Sequence, residues 1–278
     1  MDSISEVVES YKTFLEVKYP THYRTYCNRL RSNPEGARGE AILFSLLRSD
    51  FDEVTISEDP STGGADFLVT SGEFKFITEV SCLQTESVAS QSGMKSEVED
   101  GSGGWFRMVT HKLRTKVSDK APQVSGYTIP RVVVITCEHI GSDLLSGPYG
   151  AESLMSSETK IAVPIGDQPP DNIGLVTDLK DSAFFRFKNG AVEPCRQSVS
   201  AVLLVSIFGD KSLIVGVLHP DPQYPFPISL LRSVPFLRLK KWPPENSAIE
   251  MEWVIRSPRA AEFYHREVVF KEKELKAI

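Results

Sequence analysis

The sequence predicts an α/β protein with a mixed sheet flanked by helices, and three observations predict it. Apolar residues Ile4, Val7, Val8, Tyr11, Phe14 and Leu15 recur at steps of three and four, the helical period. Two short extended runs, 67–70 and 74–82, are joined by Ser71-Gly72-Glu73, which is turn chemistry for a hairpin. Farther on, Val132-Val133-Val134-Ile135 is a continuous apolar run, the pattern of a strand covered on both faces.

In chain order, a first helix is expected over 4–18. Asn33-Pro34-Glu35-Gly36 interrupts, and a second helix covers 36–49, where Ala41, Ile42, Phe44, Leu46 and Leu47 are apolar. Val54-Thr55-Ile56 reads as a short strand, and Gly63 and Gly64 open the first strand of the hairpin. Residues 84–104 are small and polar, so a long flexible insert is expected. A helix runs from Trp105 to about Asp119 and ends by Pro122. The Gly-, Pro- and Ser-rich stretch 140–180 reads as irregular. Residues 184–192 carry the hairpin dipeptide Asn189-Gly190, and runs 202–208 and 213–218 pair through Gly209-Asp210-Lys211. A last strand over 249–255 precedes a charged helical tail. With 278 residues and 41% apolar content, a single domain is expected. Its core spans about 36–137, and a C-terminal sheet extension spans about 180–255.

Composition narrows the function. No apolar run approaches a bilayer's thickness, and the acidic start is unlike a secretory signal, so a cytoplasmic protein without membrane contact is expected. Cys27, Cys82, Cys137 and Cys195 stand singly, which excludes a zinc ribbon. No GxSxG elbow or Walker loop occurs, and the histidines are isolated. The net charge of −6 argues against a nucleic-acid coat protein but leaves room for a locally basic cleft. Two stretches are locally basic. The first, 107–131, holds Arg107, Lys112, Arg114, Lys116, Lys120 and Arg131; the second, 232–241, holds Arg232, Arg238, Lys240 and Lys241.

The chemistry centres on the hairpin. Asp66 lies on its first strand and Glu79 on its second, each in apolar sequence, so the two carboxylates are expected side by side. Buried charges are costly unless paired or metal-bound, and a divalent cation would relieve the repulsion between two acids. Hard oxygen ligands in this arrangement suit Mg²⁺ or Mn²⁺. Such an ion polarises a phosphate and lowers the pKa of a bound water, while a nearby lysine stabilises the developing charge.

Gly-Ala-Asp66-Phe-Leu-Val, followed 13 residues after its aspartate by Thr-Glu79-Val-Ser, resembles the PD-(D/E)XK nuclease superfamily, which includes many restriction endonucleases. Glu40 falls on the helix where many members carry a further acid. The order of basic helix 112–123 and strand 130–136 also matches. The resemblance covers about residues 36–137 and implies a three-layer restriction-endonuclease-like core. It further implies endonuclease action on DNA, more than RNA, in restriction or anti-phage defence. Asp66 and Glu79 would be the metal ligands, with Glu40 in a catalytic role. Ala65 stands where the motif proline is usual, and Ser81 stands where the motif lysine is expected. Lys116 or Lys120, four residues apart on the next helix, would then supply the ammonium group, with Lys75 a third choice. Phosphate contacts are expected from Arg107, Lys112, Arg114, Arg238, Lys240 and Lys241. The alternative is an inactive nuclease-like module that binds nucleic acid or a protein partner, or forms a homodimer.

Overall fold

The computed structural model describes residues 3–59, 64–93, 106–142, 146–155, 159–162, 174–177, 182–189, 191–244 and 249–256. Three helices open the chain: α1 (Ile4–Lys18), α2 (Pro20–Ser32) and α3 (Pro34–Asp50). Ser3 and Glu6 form a reciprocal capping box on α1, and the Asn33 side chain caps α3 at Gly36. Strands β1 (Glu53–Ile56), β2 (Phe67–Ser71) and β3 (Phe74–Leu83) follow, then α4 (Thr85–Ser92), α5 (Phe106–Gln123) and β4 (Arg131–Cys137). After α6 (Pro148–Met155) come two small separate hairpins. One pairs β5 (Thr159–Ala162) with β6 (Gly174–Thr177), the other β7 (Phe185–Lys188) with β8 (Ala191–Pro194). Strands β9 (Ala201–Phe208), β10 (Lys211–Leu218), β11 (Phe236–Leu239) and β12 (Met251–Val254) complete the main sheet.

That sheet has eight strands in the order β1-β2-β3-β4-β9-β10-β11-β12. The β3–β4, β4–β9 and β10–β11 pairs are parallel and the rest antiparallel, so the sheet is mixed. Helices cover both faces. Tyr11, Leu15, Leu43 and Leu47 pack on Phe67, Val69, Val132, Val134 and Leu203 on one side. Leu113, Val117, Ala151 and Leu154 pack on Ile77, Val133, Ile135, Val202 and Leu204 on the other. Every residue of β4 is buried, which accounts for its unbroken apolar run. Gly39 brings α3 close to the sheet: a Cβ there would sit 2.5 Å from Thr136 Oγ1.

The structure departs from the sequence expectations in several places, and α5 runs through Pro122 to Gln123 rather than ending by that proline. Helix α2 covers 20–32, a stretch to which the sequence assigns no element, because Pro20-Thr-His-Tyr-Arg-Thr-Tyr shows almost no apolar stripe. Residues 85–92 of the expected insert form a helix. Its Val88 is fully buried, the Glu35 carboxylate accepts from Thr85 N, and Gly93 closes it in the left-handed region at φ 71°. The remainder of that insert, 94–104, lies outside the described residues. Part of 140–180 is regular, as α6, β5 and β6, and β11 was not anticipated. Asp66 stands one residue before β2 rather than within it. The charged tail beyond residue 256 lies outside the described residues.

Candidate active site

The last β2–β3 partners are Phe67 and Thr78; beyond them β3 continues alone on that edge while still pairing with β4. Asp66 sits at this fork. Its Oδ2 accepts a 2.6 Å hydrogen bond from the Val80 amide, which β2 no longer satisfies. The same ladder places Asp66 across from Glu79. Burial first, then the charges of Glu40 and Glu79, hold the Asp66 carboxyl well above its ordinary pKa, with the Val80 amide opposing.

Glu79 projects to the α5 side, where Lys120 Nζ donates to its Oε1 at 2.7 Å and also to Gln123 Oε1 at 3.0 Å. Helix α5 reaches this point because Leu113, Val117 and Ala121 face the sheet, leaving the lysines to flank it. Glu79 Oε2 is buried and finds no hydrogen-bond partner among the described residues. Burial raises the Glu79 pKa, and the Lys120 ammonium counteracts it. Glu40 lies across the fork, on α3. The Tyr11 hydroxyl donates to its Oε1 at 2.7 Å, and Arg29 of α2 engages its Oε2. Burial raises the Glu40 pKa against the Arg29 charge.

A cleft of about 620 Å³ opens along the bare edge of β3. Asp66, Glu40 and residues 80–83 line it, between a wall carrying Arg29 and Asn33 and a wall carrying Lys112 and Lys116. Ser81, in the expected lysine position, lines the cleft floor and is nearly buried. Lys112 also bonds Ser87 of α4.

The structure thus sets Asp66 between Glu40, with which it shares the cleft, and Glu79, which Lys120 engages; Lys112 and Lys116 line the cleft, whereas Glu79 and Lys120 stand outside its lining. Other expected residues lie elsewhere. Arg114 is buried, with Nη1 directed at the Ser153 carbonyl of α6 at 3.5 Å, so it cannot meet a phosphate. Arg131 is fully buried, donating to the Ser125 carbonyl and Gln223 Oε1 beneath Tyr224. Arg238 pairs with Glu252, and Lys240 and Lys241 follow it from β11. That strand is four positions from β3, about 19 Å at the usual strand spacing, too far to share a phosphate with the acid pair. Lys75 is exposed at the far end of the hairpin. The Arg107 side chain lies outside the described residues. Arg29 and Tyr11 were missed; a lone arginine in a polar helix and a tyrosine in an apolar stripe carry no signal of their own.

Glu79 Oε2 is an orphaned buried acceptor, and orphaned acceptors are what a cation satisfies. Mg²⁺ commonly takes only one or two carboxylates and keeps its waters, so Asp66 and Glu79 suffice in number and ligand type. Among the described residues, no group of three or more His, Cys, Asp or Glu side chains is arranged to hold a metal ion, and no helix is long and apolar enough to cross a membrane. Compared with known protein families, with characterised proteins and with solved structures, the chain matches none.

Proposed function

We propose that this chain is a Mg²⁺- or Mn²⁺-dependent endonuclease of the PD-(D/E)XK type that hydrolyses phosphodiester bonds in DNA. The observation that carries the reading is the Lys120 ammonium, 2.7 Å from Glu79 Oε1, beside Asp66 at the fork of β2 and β3. Ser81 cannot supply the positive charge such a site requires; Lys120 brings it from the neighbouring helix. A cation held by Asp66 Oδ1 or Oδ2 and Glu79 Oε2 would, when bound, polarise the phosphate and acidify a water. Lys120 orients that water or meets the charge growing on the phosphorus oxygens, within a site that already excludes bulk solvent from Glu79. Lys112 and Lys116 on the cleft wall hold neighbouring phosphates of the strand. A role in restriction or defence, and a cytoplasmic setting, rest on family analogy.

A second reading has its own observation. Asp66 bonded to Val80 and Glu79 bonded to Lys120 are partly satisfied without metal, as in a nuclease-like module that only binds nucleic acid or a protein partner. Incubating supercoiled plasmid and single-stranded DNA with the protein and Mg²⁺ or Mn²⁺, beside Asp66→Ala, separates the two. Cleavage lost in the variant supports the enzyme. Absence of cleavage by the wild-type chain on both substrates, with DNA binding retained, favours the module.

A further inference from the structure

We infer that the site is built for a single divalent cation and that the Arg29 guanidinium takes the place of a second one. This rests on the nuclease reading above and names the metal stoichiometry of the same site. Two-metal phosphoryl-transfer centres hold their ions about 3.5–4 Å apart between shared carboxylates. The acid that could share a second ion with Asp66 is Glu40, which faces it across the fork. Both Glu40 oxygens are already engaged, Oε1 by the Tyr11 hydroxyl and Oε2 by Arg29.

Arg29 is fixed from outside the sheet. It projects from α2, whose Tyr26 hydroxyl anchors the helix to the Ala37 carbonyl of α3 at 3.0 Å. Its guanidinium charge acts on Glu40, Asp66 and Glu58 together. It borders both the main cleft and a void of about 10 Å³ lined by Tyr11, Glu40, Glu58 and Asp66. That void has room for about one water. A guanidinium stays charged at any working pH, so it repels an incoming dication at all times.

Arg29 lines the cleft with 38% of its side chain exposed; its Nε is buried, so the outer N–H groups not used by Glu40 are the ones open to the cleft. They would meet a non-bridging phosphate oxygen opposite the bound ion, the task a second metal performs elsewhere.

Titration of the full chain with Mn²⁺, followed by calorimetry and by loss of the free-ion EPR signal, tests the inference. The wild-type chain should bind one Mn²⁺. Arg29→Met should bind two, because Glu40 is released, and Arg29→Met with Glu40→Gln should return to one. Two ions on the wild-type chain, or one on a folded Arg29→Met, overturns the inference. Glu40→Gln alone guards against misfolding of the arginine variant. It should leave the stoichiometry at one Mn²⁺, and a folded variant that binds none would make Glu40 a ligand and overturn the proposal. Asp66→Asn tests the underlying reading separately. Wild-type chain that binds no Mn²⁺, or Asp66→Asn that binds it normally, removes the metal pair itself, whereas two ions lost together in Asp66→Asn would refute only the single-cation inference.

Discussion

Replacing Lys120 by Met removes the ammonium beside Glu79 while keeping most of the aliphatic stem in place. Glu79 has a side-chain exposure of 8%, its Oε2 is already unpartnered, and Oε1 loses its 2.7 Å donor. Breaking such a pair by deleting one partner typically costs about 3–5 kcal/mol. The carboxyl has an escape, because it can take up a proton. Protonating an ordinary glutamic acid at pH 7 costs about 3.7 kcal/mol, from about 1.36 kcal/mol for each unit above a pKa of about 4.3, and this caps the penalty on Glu79. At pH 5.5 the same cap falls to about 1.6 kcal/mol. The stability difference between wild type and Lys120→Met should therefore shrink by up to about 2 kcal/mol between pH 7 and 5.5. Urea unfolding followed by circular dichroism at the two pH values measures it. A difference that is equal at both values would refute the placement of Lys120 as the charge partner of Glu79. On the nuclease reading, the same substitution should slow cleavage by roughly 10² to 10³.

Three further outcomes are expected. Because Asp66 and Glu79 are held above their ordinary carboxylate range, Mn²⁺ binding near pH 6 should release protons, seen as a dependence of the calorimetric heat on buffer ionisation enthalpy; a buffer-independent heat would count against these ligands. Gly39→Ala places a Cβ 2.5–2.9 Å from the Thr136 side chain, and the overpacking should cost about 1–3 kcal/mol in a thermal melt; an unchanged melting temperature contradicts the close packing of α3 on β4. His219 is neutral, its Nε2–H donating to the Cys195 carbonyl and its Nδ1 accepting from the Asp221 amide, and burial pushes its pKa down to about 4. Its folded pKa lies below the unfolded value of about 6.5, so its stabilisation is whole above pH 6.5 and up to about 3 kcal/mol is lost as pH falls to 4. His219→Gln should flatten that part of the profile, and a slope identical to wild type rules the residue out.

Much of the fold was legible because its sheet residues follow strong rules. The apolar run of β4 and the turn at Ser71-Gly72-Glu73 gave one strand and one hairpin nearly to their ends. Helix α2 was not legible, since a helix held mainly through one buried residue, Tyr26, and opened by a single proline, Pro20, shows no periodic stripe. Helix α4 escaped for a related reason. One buried valine and capping from Glu35 of another helix stabilise it, and neither is a local pattern. The same holds for the Glu40–Arg29–Tyr11 network, whose three members come from three separate helices.

The basic residues show most plainly what a linear reading misses. A charge-rich stretch is one-dimensional, whereas a helix turns about 100° per residue. Along α5, Lys112, Lys116 and Lys120 are spaced by four, so they share one face; two line the cleft and the third meets Glu79. Arg114 lies two positions from Lys112 and Lys116, hence on nearly the opposite face, and there it is buried against α6. Arg131 begins a strand buried on both faces, where its guanidinium can only tie loops together. Counting charges gave six basic residues over 107–131, and helical phase decides which of them a substrate can reach. A charge swap makes the distinction measurable. Lys116→Glu should weaken DNA binding and reduce its salt dependence, whereas Arg238→Glu, on the far side of the sheet, should leave both unchanged. Equal losses from the two variants would mean the strand crosses the β11–β12 end of the sheet, and the cleft would no longer be its path.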